Sequence, residues 1–198
     1  MKVLIAGANG KIGRRLIPHL VADNIQVRAM VRDLRQKADL EILGAHEVVE
    51  ADLEGDCRQA LEGQDVVIFT AGSGPHTGPE KTIDVDQNGA ISLINQAKAQ
   101  GVGRFIMVSS MRADDPESGP ERMRHYFAAK GKADDHLRAS GLNYTIVRPG
   151  RLTEEPPLEK VEIAEKLKDF GDISREDVAN VLSETARSEL ENREFDVI

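Results

Sequence analysis

The stretch Gly7-Ala8-Asn9-Gly10-Lys11-Ile12-Gly13 constrains this chain more than any other. Before it, Lys2 to Ala6 is a short apolar run suited to a strand buried on both faces. After it, Ile12, Leu16, Ile17 and Leu20 recur at helical spacing. In a strand–turn–helix unit the first glycine permits the tight turn, the second lets backbone approach a phosphate, and the third lets the helix pack on its sheet. Free amides and the helix dipole then favour a pyrophosphate at that point. Glycine turns also arise for steric reasons alone, but this one sits where a dinucleotide would bind, which makes Gly7, Asn9, Gly10, Lys11, Ile12 and Gly13 candidate cofactor contacts.

The rest of the chain alternates in the same way. Strands are predicted at Ile25 to Val31, His46 to Glu50, Asp65 to Thr70, Arg104 to Ser109 and Asn143 to Val147. Helical spacing covers Leu34 to Leu43, Ile83 to Gln100 (stopped by Gly101), and Glu121 to Ala139. Strands joined by helices imply right-handed crossovers and a parallel sheet covered on both faces. The expected fold is therefore doubly wound α/β, one domain over 1–198, with 151–198 supplying elements on the substrate side. Within that tail, Val161 to Leu167 leans to strand at its start. Ser174 to Ser188 reads as a helix with Ser174 as N-cap, and Phe195 to Ile198 as a closing strand.

Composition narrows the function. Lysine and arginine number 26 against 34 acidic residues, a net charge of −8 that argues against a nucleic-acid surface. No apolar run approaches the roughly 18–20 residues of a membrane helix. One cysteine, Cys57, cannot form an internal disulfide, so the expected setting is cytoplasmic and Cys57 a packed thiol. The five histidines, His19, His46, His76, His125 and His136, lack ligand spacing, and no metal is expected.

The end of the second strand selects the cofactor. A site for NAD usually has a carboxylate there, about 20 residues past the glycine turn, to hold the ribose hydroxyls. Here the stretch is Ala29-Met30-Val31-Arg32-Asp33. Arg32, with Arg14 just past Gly13, offers a guanidinium for a 2′-phosphate, so NADP is expected over NAD, with Asp33 weighing against it. Asp52 and Leu53 follow the third strand, where they could meet adenine. Ala71, Gly72 and Ser73 follow the fourth, where small residues let the ribose pass. All fall at the carboxyl ends of strands, where open α/β sheets bind ligands.

Tyr126 and Lys130 lie one turn apart on one face of a predicted helix. An ammonium beside a phenol lowers its pKa toward working pH, which makes Tyr126 a candidate proton donor or acceptor. Ser110, ending the fifth strand, could hold a substrate oxygen. Ser109, one residue further back, is assigned to the cofactor side. His76 and His125 are weaker candidates to face the substrate, and Asp114 to Pro120 reads as a loop over the cleft or a plain surface connection.

Taken together, the glycine turn, Val31-Arg32-Asp33, Asp52-Leu53, Val108-Ser109-Ser110, Tyr126 to Lys130 and Tyr144-Thr145-Ile146-Val147-Arg148-Pro149-Gly150 resemble the atypical group of short-chain dehydrogenases/reductases. The likeness is to NAD(P)H-binding Rossmann-fold proteins of the biliverdin reductase B/flavin reductase and NmrA-like kind. It implies a catalytic set of Ser110, Tyr126 and Lys130, with Lys130 also on the nicotinamide ribose and Pro149 and Gly150 against the nicotinamide. The Asn-Asn-Ala-Gly element of the better-known branch is absent, and the tail beyond Gly150 is short for a nucleotide-sugar substrate. The function expected is an NADP(H)-dependent oxidoreductase of a small carbonyl or similar acceptor, as monomer or homodimer. The alternatives are a non-catalytic NADP(H) sensor, or an epimerase or dehydratase with tightly held cofactor.

Overall fold

The computed structural model describes residues 1–74 and 77–198. Its main sheet has β1 (Lys2–Ala6), β2 (Gln26–Val31), β3 (Glu47–Glu50), β4 (Val66–Phe69), β5 (Arg104–Val108), β6 (Asn143–Pro149), β8 (Ile163–Ala164) and β10 (Arg193–Val197). They run in the order β3-β2-β1-β4-β5-β6-β10-β8. Every neighbouring pair is parallel except β10 with β8. The order reverses between β1 and β4, so the crevice of this doubly wound sheet opens at the glycine turn that follows β1.

Strand residues point alternately to two faces, and each face has its own core. Val3 and Ile5 join α1 (Lys11–Ala22), Leu40 of α2 (Lys37–Ile42) and α7 (Arg175–Arg187) on one side. Leu4 and Ala6 join α3 (Arg58–Leu61), α5 (Ala90–Ala99) and α6 (Glu121–Ala139) on the other. Central strands β4 and β5 are buried at every residue, as expected of a parallel sheet covered on both sides. Ser174 caps α7 by accepting the Asp177 amide at 2.9 Å, as predicted.

Three differences from expectation have local causes. The helix expected from Ile83 begins earlier, with α4 (Pro79–Thr82), and is π-helical over Ile83–Gly89 before α5 continues it. That wider turn places Asp86 in the interior, where it accepts the Ser73 amide at 2.9 Å. The strand foreseen from Val161 is only β8, because the carbonyl of the next residue, Glu165, is taken by Arg148 at 2.6 Å. A small parallel sheet of β7 (Arg151–Thr153) with β9 (Asp172–Ser174) lies beyond Pro149, formed from segments too short to show a period.

Candidate functional site

The turn after β1 is closed by the Gly10 amide on the Gly7 carbonyl at 2.9 Å. Gly7 has φ +90, and a Cβ there would lie 2.6 Å from the Ala71 backbone. One at Gly13 would lie 2.5 Å from the Gly7 carbonyl. Thr70 Oγ1 donates to the Ala6 and Gly7 carbonyls, fastening the end of β4 to the same turn. Gly10 is the N-cap of α1 and brings no side chain, and the first turn of α1 contains no acid. The leading amides of a twelve-residue helix are thus left for an outside acceptor, beside Lys11, Arg14 and Arg15. A dinucleotide pyrophosphate fits this cradle.

The cationic side chains near the turn differ in availability. Lys11 pairs with Glu154 Oε1 at 2.7 Å, and Arg15 with Glu154 Oε2 at 3.0 Å. Arg14 donates to Asn9 Oδ1 at 2.9 Å. Arg32 is exposed and has neither ion pair nor side-chain hydrogen bond among the described residues. Asp33, the carboxylate that weighed against a 2′-phosphate, is turned aside: Arg35 donates to it and holds its carboxyl below the usual range.

Along the crevice, Asp52 Oδ1 accepts the Glu54 amide at 3.0 Å, and buried Leu53 packs on Gly89 of the π-turn. Beyond β4, Ala71 and Gly72 lead to Ser73, which Asp86 anchors. Asp86 Oδ1 stands 3.2 Å from where a Gly72 side chain would begin. At the far end, the Pro149 carbonyl accepts the Met111 amide at 3.0 Å and the Gly150 amide donates to Val197 at 3.0 Å. Gly150 admits no side chain, since the Gly171 carbonyl would be 2.2 Å from it. The predicted cofactor residues therefore follow the carboxyl ends of β1, β2, β3, β4 and β6 in turn, apart from Ser109, which follows β5, and Lys130, on α6.

On α6 the stripe continues past the expected pair: Tyr126, Lys130 and Asp134 follow at four-residue intervals. Lys130 is 1% exposed, yet its ammonium meets only Met107 Sδ at 4.0 Å and the Phe69 ring at 5.4 Å, with no oxygen or nitrogen partner among the described residues. Asp134 is equally buried; Oδ2 accepts the Ser109 hydroxyl at 2.5 Å while Oδ1 has no partner among the described residues. Burial pushes its pKa up to about 6, against the Ser109 hydrogen bond and the Lys130 charge. Ser110 sits at the cleft end of β5, and its hydroxyl donates to the Met111 carbonyl at 3.1 Å. The seryl hydroxyl joined to the α6 stripe is therefore that of Ser109.

The electrostatics of Tyr126 correct the sequence expectation. Its phenol is raised above the ordinary value of 10, not lowered, first by burial and then by the carboxylates of Asp86 and Asp134. Lys130 favours the Asp134 carboxylate instead. A phenol so placed stays protonated and can give a proton rather than take one. Asp86 and Asp134 were not among the predicted residues. Extending the Tyr126–Lys130 spacing by one turn would have found Asp134, whereas nothing in the pattern marks Asp86.

The remaining candidates are accounted for. Cys57 is fully buried, its thiol donating to the Asp52 carbonyl at 3.2 Å and pushed up to about 11 by burial and the nearby Asp52 and Asp56. His125 is exposed on α6, and His76 lies outside the described residues. The Asp114 to Pro120 segment carries a short 3-10 turn, with Asp114 paired to Lys166 and Glu117 to Arg124. Among the described residues no group of His, Cys, Asp and Glu is placed to hold a metal, and no helix is long and apolar enough to cross a membrane.

Comparison with known proteins agrees with this geometry. A family model described as NAD(P)H-binding matches residues 7–189. A Bacillus subtilis protein named as an uncharacterized sugar epimerase, YhfK, is 48% identical, covering 100% of this chain and 94% of its own. A solved structure from Bacillus halodurans, provisionally named an NAD-dependent epimerase/dehydratase, superposes with TM-score 0.98 at 44% identity, over 100% of this chain and 94% of its own. The Escherichia coli O157:H7 anaerobillin reductase ChuY gives TM-score 0.84 at 25% identity, over 100% of this chain and 97% of its own.

Proposed function

The chain belongs to the NAD(P)H-binding family, and from that premise we propose that it is an NADP(H)-dependent reductase of a small carbonyl or similar acceptor. The observation that carries this reading is Lys130, a buried ammonium without an oxygen partner among the described residues, one turn from a phenol that holds its proton. A ribose diol would supply the acceptors that this ammonium lacks. The cradle at Gly7 to Gly13 would hold the pyrophosphate, and Leu53 and the Ala71–Ser73 loop would border the adenosine half. Bound nicotinamide would supply a two-electron hydride donor.

The chain's own residues then do three things. Lys130 orients the ribose; Ser110, with Ser109 behind it, positions the acceptor oxygen; and Tyr126 donates a proton to that oxygen as charge develops on it. The phenol keeps its proton through neutral pH and so can be the donor that reduction needs, while its raised pKa makes that proton harder to release. Replacing Tyr126 with Phe removes the proton and leaves the cradle intact. Turnover with NADPH and a panel of aldehydes, ketones, flavins and tetrapyrroles should fall by about 10²–10⁴-fold, with NADPH affinity unchanged. Undiminished turnover in Tyr126→Phe would refute the role.

Preference for NADP rests on Arg32. Arg32→Ala should weaken NADPH by roughly 10–100-fold, the worth of a charge-assisted contact, and leave NADH unaffected. Equal loss for both nucleotides in a titration would remove the argument. The names of two relatives favour a second reading, an epimerase that oxidises its substrate transiently. That enzyme would interconvert substrate with no net consumption of NADPH, which separates it from a reductase in one spectrophotometric assay.

A further inference from the structure

Most arginines here have an acid to hold. Arg28 pairs with Glu47, Arg58 with Asp56, Arg124 with Glu117, Arg151 with Asp172, Arg175 with Glu154 and Arg187 with Asp23. Arg112 has neither ion pair nor side-chain hydrogen bond among the described residues, although it is half-buried. Its guanidinium lies 4.1 Å over the ring of Phe170. Asp114, two residues on, belongs to Lys166, and Asp172, two beyond Phe170, belongs to Arg151.

Position adds to this. The Ala113 amide bonds the Ser110 carbonyl at 3.1 Å, so Ser110-Met111-Arg112-Ala113 is a tight turn at the cleft end of β5. Arg112 is its third residue and has φ +72, where turns of this kind favour glycine. The same end of the sheet holds Gly150, packed on Gly171 next to Phe170. A large cationic side chain thus stands in a glycine position between the seryl end of β5 and the tail, its guanidinium carbon over an aromatic ring and its donors without a partner among the described residues. Stacking on a ring orients a guanidinium without using its N–H groups, which remain free for a planar oxyanion.

We propose that Arg112, held by Phe170, is the specificity residue for an oxyanion on the acceptor, a carboxylate or a phosphate, carried away from the carbonyl that is reduced. This rests on the reductase reading for which molecule arrives, but the anion preference is measurable without turnover. Protein saturated with NADP+ would be titrated by calorimetry with 4-carboxybenzaldehyde, 4-formylphenyl phosphate and the neutral methyl 4-formylbenzoate. Saturation keeps the cofactor's own phosphates in place, and the oxidised cofactor prevents reaction.

At least one acid should bind about tenfold or more tighter than the ester, as expected of one charge-assisted bidentate contact; which of the two does so distinguishes carboxylate from phosphate. In Arg112→Gln the ratio should fall to near one, and in Phe170→Leu to an intermediate value. Equal binding of acids and ester to the unaltered protein, or binding of none, overturns the proposal whether or not either variant folds, and so does a ratio that survives Arg112→Gln. With NADPH in place of NADP+, an acid preference without cofactor oxidation counts against the reductase reading and leaves Arg112 standing. Oxidation with all three at equal affinity does the reverse.

Discussion

The two sides of the crevice are built from different materials. The cofactor side, from β1 to β4, is backbone: a glycine turn, the open amides of α1 and hydroxyl contacts from Thr70, over an apolar core. The side to which we assign the acceptor, from β5 to β10, is charge. Arg148, 4% exposed, donates to Asp196 at 2.7 Å, to Glu194 at 2.9 Å and to the Glu165 carbonyl, while Arg138 reaches Glu194 at 2.6 Å. Asp196 accepts the Leu167 amide at 2.9 Å, so this network is what pins the tail beyond β6. A pyrophosphate can be met by main chain and a helix start, whereas the side assigned above to the acceptor is held by side chains, which can change.

The contrast can be broken most directly at Arg148. Arg148→Met leaves Asp196 buried without its counter-charge and should cost about 3–5 kcal/mol in a urea titration, the penalty of orphaning one partner of an interior ion pair. A loss below ~1 kcal/mol would mean that charge does not hold this side together.

Asp134 offers the next largest effect, with opposite sign. Its carboxyl is raised from 3.8 to about 6 in the folded protein, so the folded state takes up a proton more readily than the unfolded chain. Above about pH 6 the buried charge opposes folding, and the penalty fades as pH falls from 6 to 4. Asp134→Asn is neutral throughout and should be more stable than the parent by up to about 3 kcal/mol at pH 7.5, converging with it near pH 4. A gap independent of pH would show that burial does not penalise this carboxylate.

The smallest effect belongs to the link between the two sides. Glu154, at the end of β7, joins Lys11 and Arg15 of α1 to Arg175 of α7, and these contacts hold its carboxyl below the usual range. All are at least partly open to solvent, so Glu154→Gln should lower the melting temperature only slightly, and less still at high salt.

What was legible in the sequence follows the same division. The alternation of β1 to β6 with long helices was readable because buried parallel strands and amphipathic helices have distinct periods, and the glycine turn because only glycine fits Gly7 and Gly13. The interior groups were not. Asp86 is buried by a π-turn that no local pattern announces, Arg148 looks like any strand arginine, and the ring that holds Arg112 comes from Phe170, far along the chain. Tyr126 and Lys130 do lie one turn apart on α6, but the expected lowering of the phenol fails, since helical spacing says which side chains share a face and not which carboxylates stand nearby.

One consequence of the strand order concerns synthesis. β10 lies between β6 and β8, and β8 has no other neighbour in the sheet. Until residues 193–197 have left the ribosome, a nascent chain carries a finished nucleotide cradle but presents β6 as a bare, adhesive border, with the segment that should cover it dangling. Ribosome-associated chaperones should therefore engage this protein late in translation, since the face of the sheet that carries α1 also waits for α7 to complete its core.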